Sequence, residues 1–214
     1  MGAFLRMYSP FGKAMNRCGI IFGANLLFVL FSLTVLLAGP AWVALYHVLL
    51  KAYRDDWEVS VLREFWYGFK SNFKQAMVAW LSILLFLIVS IADIRYLTYI
   101  GESVRYLRYL IYLIAAFVLV LTLYLFPVMA VFSDTLPHLL RNAFYFAGKN
   151  PVRMIGVLLL GTVPFLLTYA DLQRLPLYSF LWAFCGFALL AMIISRLLYR
   201  DFMDAVHKNG CNNK

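Results

Sequence analysis

Charge is what this chain has least of. Only 14% of its 214 residues are charged, where a soluble domain carries about a quarter. Hydrophobic residues make up 64%, and the mean hydropathy is +0.81. Water is thereby excluded as the solvent for most of the surface. A hydrocarbon core about 30 Å thick is crossed by roughly 20 apolar residues in helix, so a chain of this length holds five or six crossings and no separate catalytic domain. Cysteine is scarce as well. Cys18, Cys185 and Cys211 have neither metal spacing nor the pairing of a disulfide framework, and the first two read as small buried hydrophobes. His47, His138 and His207 stand in separate segments without H-x-x-x-H or H-E-x-x-H spacing. No carboxylate flanks a serine in a nucleophile elbow, and no glycine run cradles a phosphate. These lacks predict a protein that is not an enzyme and takes no cofactor and no metal.

What charge there is has one dominant sign, +9 net. The cations border apolar runs and form no basic domain, so they are read as topogenic charge facing anionic lipid. The expected partner is the bilayer, with no nucleic acid. Arg6, Lys13 and Arg17 precede an apolar run in the manner of a signal peptide. That run, Cys18 to Ala38, is too long for a signal core and has no A-x-A site after it, so it is expected to be a retained first helix.

Five runs are long enough to span unaided: 18–38, 77–94, 107–132, 152–170 and 177–198. They predict helices, because a backbone in lipid must satisfy its own hydrogen bonds and the runs lack the alternation of a barrel. A sixth, shorter piece, 41–53, follows Gly39-Pro40. If residues 18–50 formed one pass, the 19 Lys and Arg would divide 12 to 7 across the membrane. If the chain instead breaks at Gly39-Pro40 and returns, the division becomes 15 to 4, which the bias of cations toward the cytoplasm favours. The expected fold is thus a single membrane domain over 1–214: an all-α polytopic helical bundle of five long spans plus one short Gly-Pro-initiated segment. Both termini are expected in the cytoplasm. The short helix, about 20 Å long, must tilt little, thin the bilayer or be sheltered by neighbours.

Two stretches between spans are amphipathic. In 57–74, Trp57, Val61, Phe65, Phe69 and Phe73 recur at i, i+4 opposite Glu58, Arg63, Glu64, Lys70 and Lys74. Such a helix lies in the plane of the interface, or presents one face to a partner subunit. The stripe is therefore the candidate partner contact, with lipid or intramolecular packing as its plainer use. In 134–149, Leu136, Leu139, Leu140, Ala143, Phe144 and Ala147 share a face. Both stretches end in a basic signature around Asn72 and Asn150, which raises an internal duplication of span, cytoplasmic helix, span. On the other side, Tyr96, Tyr99, Tyr106, Tyr109, Tyr112, Tyr169 and Tyr178 gather where an aromatic belt would sit.

Polar groups inside spans are the default functional candidates, because lipid makes them expensive. Asp93, Arg95, Asp134 and Asp171 border spans and reach headgroups or water, which leaves Asn25 and His47 deeper. A contact between these two across the first hairpin would be structural glue, with proton relay as the rival reading. Gly39-Pro40 and the stretch from Gly161 to Pro164 interrupt helices in opposite halves, a pattern that in transporters marks a binding site. Pro164 has no charged neighbour, so a kink explains it.

The run Gly39-Pro40-Ala41-Trp42-Val43-Ala44-Leu45-Tyr46-His47, followed by Arg63-Glu64-Phe65-Trp66-Tyr67-Gly68-Phe69-Lys70-Ser71-Asn72-Phe73-Lys74-Gln75-Ala76, resembles the YesL-like family of bacterial membrane proteins. That family shows a GPA-x-x-ALY segment and an F-x-x-x-F-K-x-N-F-K-Q-A stretch, and is often encoded beside carbohydrate ABC importers. The resemblance implies a multi-pass protein of the bacterial plasma membrane with an accessory role in sugar uptake, and permease subunits of an ABC importer as partners. It carries over no catalytic or ligand residue. The alternative expectation is a self-contained transporter or channel for a small solute.

Overall fold

The computed structural model describes residues 10–101 and 105–212, leaving aside the side chains of Pro10, Leu172 and residues 204–212. Arg6, the His207 imidazole and the Cys211 thiol lie outside the described residues. Every regular element among them is a helix, as apolar runs in lipid require. The chain forms α1 (Pro10–Ser32), a short 3-10 turn (Val35–Leu37), α2 (Ala38–Arg54), α3 (Val61–Ser71), α4 (Phe73–Ile100) and α5 (Arg105–Val131). It continues through α6 (Leu136–Lys149), α7 (Pro151–Ala170), α8 (Leu175–Leu181), a π-helical turn (Trp182–Gly186) and α9 (Phe187–Asn212). Six helical segments are long and apolar enough to cross a membrane; the last combines α8, the π turn and α9 as far as Met203. The expected all-α polytopic bundle is the fold.

The short helices α3 and α6 lie at one end of the bundle, here termed basal. The start of α1 is tied to that end by Asn16, whose Nδ2 donates to the Trp57 carbonyl at 2.9 Å. Asp201, near the end of the last span, is tied there by Lys149 at 2.9 Å. Asn72 alone joins α3 to α4, and Asn150 alone joins α6 to α7. The two units α2–α3–α4 and α5–α6–α7 therefore share an order of span, basal helix, asparagine, span.

The shortest span sits in the middle. α2 packs against α1, α3, α4, α5 and α9, and 67% of its most apolar stretch is buried, against 11% for α4 and for α7. Ala41, Val43, Ala44, Val48 and Ala52 are wholly enclosed. Between helices in lipid, close van der Waals packing replaces the hydrophobic drive, and small side chains permit it. Gly39 shows how close the approach is: a Cβ there would lie 2.4 Å from Cβ of Trp80 and 2.9 Å from the Ala76 carbonyl oxygen. Of the three ways a short helix survives in a membrane, α2 uses shelter.

The break before α2 is not at Gly39-Pro40. The chain turns over Leu33–Leu37, and Gly39 and Pro40 already belong to the first turn of α2. Pro40 lacks an N–H for the Leu36 carbonyl, so a continuous helix fails one turn upstream of the proline, while the proline itself suits an early helical position. The indole Nε1 of Trp80 donates to the exposed Val35 carbonyl at 2.7 Å and closes the turn. α2 thus has 17 residues, about 26 Å at 1.5 Å per residue.

The first basal helix is also shorter than its stripe. α3 begins at Val61, because α2 ends in a reversal that occupies Asp55 to Ser60. Asp56 (φ 47°) and Trp57 (φ 67°) are left-handed, and the Trp57 N–H returns to the Ala52 carbonyl at 2.7 Å, the 6→1 bond of a Schellman cap. Cys18 is exposed and Cys185 half-buried, so neither is the enclosed hydrophobe expected. Proline lies inside α5 (Pro127) and α7 (Pro164), and Gly161 of α7 sits against the Leu123 methyls of α5.

Candidate functional site

α2 places His47, Lys51 and Arg54 at i, i+4 and i+7, one above another on a single helical face. α3 does the same with Arg63, Tyr67 and Lys70. The tight reversal between the two helices turns these faces toward one cleft of about 740 Å³ at the basal end. Gly68 permits the approach, since a Cβ there would lie 2.8 Å from Cβ of His47. Among the described residues, Glu64 is the cleft's only lining carboxylate. Its side chain is 12% exposed, and Oε2 lies 2.8 Å from Nζ of Lys51 and 3.5 Å from Nε2 of His47. Burial pushes the Glu64 carboxyl up, but the Lys51 ammonium and then His47 outweigh it and hold the group below the usual carboxylate range.

The other cations of the cleft are less committed. Arg54 is engaged with neighbouring Asp55 at 2.9 Å. Lys70 stands 4.9 Å over the Trp66 ring, and among the described residues neither it nor Arg63 has a carboxylate within ion-pair distance. The Tyr67 ring is 5.3 Å from that of His47.

His47 is held from its other side. Nδ1 meets the Ala130 carbonyl at 3.2 Å, and Nδ2 of Asn72 donates to the Met129 carbonyl at 2.8 Å. Both oxygens belong to the last turn of α5, whose carbonyls have no helical partner. Two side chains from the first half of the chain thus cap a helix of the second. Because a carbonyl only accepts, any hydrogen bond at this contact is one that Nδ1 donates.

Asn25 does not meet His47. It is fully buried against the π turn of the last span. Its Nδ2 donates to the Trp182 and Ala183 carbonyls at 3.0 and 2.7 Å, and its Oδ1 accepts from the Ala188 N–H at 2.9 Å. A π turn widens the ladder, and here an amide side chain occupies the gap. Phe165 stacks on Trp182 at 4.7 Å beside it. All three polar positions of the Asn25 amide are used for cohesion, which takes from a solute path one of the two deep groups that suggested it.

The aromatic stripe is mostly internal. Phe65 and Phe69 are buried and pack on Phe31 of α1, with ring centroids 5.6 and 4.9 Å away. Val61 lies over Gly23, and Phe73 packs on Phe69 at 5.4 Å. Trp57, outside the helix, is buried under Arg17. The stripe thus takes the plainer of its two uses, packing within the chain, and is not left as the candidate partner contact, because a helix so close to α1 and α2 must spend its apolar face on them. What α3 turns outward is Leu62, Trp66 and Tyr67, respectively 70%, 48% and 62% exposed.

A second ionic cluster, absent from the candidates read in the sequence, joins Asp201 of the last span to Lys149 and Arg153 at the α6–α7 joint. Asp201 lies about fifty residues from both, a separation that no local pattern reveals. Glu64 carried a weak signal: an acid in the first turn of the otherwise basic, aromatic α3. Asp93, Arg95 and Asp134 are exposed and Asp171 half-buried, and Tyr96, Tyr99, Tyr106, Tyr109, Tyr112 and Tyr169 are exposed.

Residues 21–94 match the model of a family described as a protein of unknown function, DUF624. The matched stretch runs from within α1 to within α4 and contains the whole cleft. No curated protein and no solved structure matches the chain.

Proposed function

We propose that this protein is a non-enzymatic membrane subunit that acts by binding another membrane protein through the outer face of α3. Its place is a bacterial plasma membrane, with both termini, α3 and α6 on the cytoplasmic side. The observation that carries this reading is the pairing of a fixed helix with an unfilled face. α3 is anchored by Phe65 and Phe69, so Leu62, Trp66 and Tyr67 stand outward between Arg63 and Lys70. Exposed Trp, Tyr and Arg around an apolar centre are the residue types that dominate binding energy at interfaces. The orientation is supported by the cation bias toward the basal end. The resemblance to the YesL-like family supplies the partner class, permease subunits of a carbohydrate ABC importer, and an accessory role in sugar uptake.

Copurification of the full chain with a neighbouring permease from native membranes tests this. The permease is expected to be recovered with the wild type. Leu62→Glu, melting like the wild type, is expected to cut recovery by about fivefold or more, the loss that follows from removing one contact worth 1 kcal/mol. Undiminished recovery with Leu62→Glu rules out this face of α3. If no permease is recovered with the wild type, the accessory role fails with it.

A further inference from the structure

To the cleft between α2 and α3, which shares Arg63, Trp66, Tyr67 and Lys70 with the outer face of α3, the structure assigns a second capacity: it binds a phosphate group, in the form of the headgroup of an anionic phospholipid. The first ground is charge. Four cations, Lys51, Arg54, Arg63 and Lys70, face a space that contains one carboxylate. That carboxylate is occupied by Lys51 at 2.8 Å, and Arg54 is drawn to Asp55 at 2.9 Å. Arg63 and Lys70 keep their charge open to the cleft. A guanidinium and an ammonium from one helical face form a pair suited to a phosphate, the first as a planar fork and the second as a point charge.

The second ground is the shape of what lies beside the charge. Beside the cleft, and sharing its His47, Lys51 and Arg54, is a recess of about 140 Å³ between α2, the end of α5 and the last span, where Leu50, Val131 and Phe202 also line it. Cations in the wide part and carbon in the narrow part complement an amphiphile, a phosphate carried on an apolar body. A free phosphate ion would use the charges and leave the recess without an occupant. The third ground is position. The cleft flanks a helix that lies at the end of six membrane-crossing segments, the depth at which headgroups are found, and basic pockets between helices are a recurrent form of headgroup recognition. Trp66 and Tyr67 at its mouth are rings that favour the same depth.

The test uses the purified full chain in a neutral detergent, titrated with phosphatidylglycerol, with phosphatidylcholine, and with inorganic phosphate, bound molecules being counted by native mass spectrometry. One phosphatidylglycerol is expected to stay bound where phosphatidylcholine does not. The double variant Arg63→Gln/Lys70→Gln, both exposed positions, is expected to weaken retention by about tenfold or more, at roughly fivefold per cation, with an unchanged melting temperature. Arg63→Lys is expected to keep most of it. Lys74→Gln/Arg141→Gln, which removes two exposed basal cations outside the cleft, is expected to leave retention as it was. Equal retention in the two double variants, or retention of phosphatidylcholine as strong as phosphatidylglycerol, overturns the proposal. If millimolar inorganic phosphate displaces the lipid and itself raises the melting temperature of the wild type but not of Arg63→Gln/Lys70→Gln, the site binds phosphate from solution and the headgroup assignment is overturned. Failure to displace assigns the site to the headgroup. Leu62 lines neither space, so the loss of permease binding and the loss of lipid binding are separable results.

Discussion

At Asn25 an ordinary amide substitutes for missing helical ladder. The Ala183 carbonyl and the Ala188 N–H, which a regular π turn would have joined, are each bonded to the side chain instead. Asn25→Leu keeps the volume but removes three hydrogen bonds to the backbone at the π turn. Interhelical hydrogen bonds in membranes average about 0.6 kcal/mol, so the variant is expected to lose about 2 kcal/mol in reversible unfolding from detergent micelles. A wild-type unfolding curve would mean that the π turn supports itself. Glu64 gives a pH signature. Its folded carboxyl is held below the ordinary range by Lys51 and His47, so as pH falls the unfolded chain takes up the proton first. The stability due to this group is then complete above the ordinary glutamate value, about 4.3, and is withdrawn as pH drops toward the lower folded value. Melting temperatures of the wild type and Glu64→Gln should accordingly differ at pH 7 and converge in the acid range. A gap that stays constant to pH 3 contradicts the pairing.

Elements differ in how tightly their neighbours close on them, and three glycines report it. At Gly39 a methyl would meet the root of Trp80 and a backbone carbonyl, neither of which can swing away, whereas at Gly161 it would meet the flexible tip of Leu123, and at Gly19 nothing within 4 Å. Gly39→Ala should cost about 1–3 kcal/mol as α2 and α4 are forced apart. Gly161→Ala should cost less than Gly39→Ala, and Gly19→Ala should be neutral; unfolding in the same detergent ranks all three, and equal effects would refute the packing order. The six spans were legible because an apolar run of crossing length in lipid has one solution, a helix. Their ends were less so. Trp57 fits the i, i+4 stripe of α3 perfectly by spacing, yet it belongs to a reversal set by a left-handed Asp56, a conformation that aspartate permits without advertising. The cation count calls for a return near Gly39-Pro40, and Pro40 does stand in the first turn of the returning helix, but the proline's effect falls on the carbonyl four residues earlier, and Gly39 is kept small for packing.

For the molecule as a whole, the arrangement predicts sidedness. With the native cysteines replaced, single cysteines at Leu62 and Phe144 should react with an impermeant thiol reagent from one side of sealed vesicles, and those at Tyr99 and Tyr106 from the other. Labelling of Leu62 and Phe144 from opposite sides would disprove the shared basal end. The polar centres of the fold were the least legible part, because each is assembled across distance: Asn25 with the last span, Asp201 with the α6–α7 joint, His47 and Asn72 with the end of α5. Apolar periodicity names a face without naming what lies opposite it. The cleft was half visible, since its cations and Glu64 all lie between Lys51 and Lys70, but only the reversal after Arg54 brings their faces together. The central position of α2 also bears on how the chain is made. This helix leaves the ribosome directly after α1, yet the other helices that surround it, α3, α4, α5 and α9, are all synthesised later. Until then its small, closely cut surface faces lipid or the insertion machinery, with His47 lacking the α5 carbonyl that holds it. The early hairpin is thus a waiting intermediate, and a chain truncated before α9 should be handled by membrane quality control as unfinished even though five of its six crossings are complete.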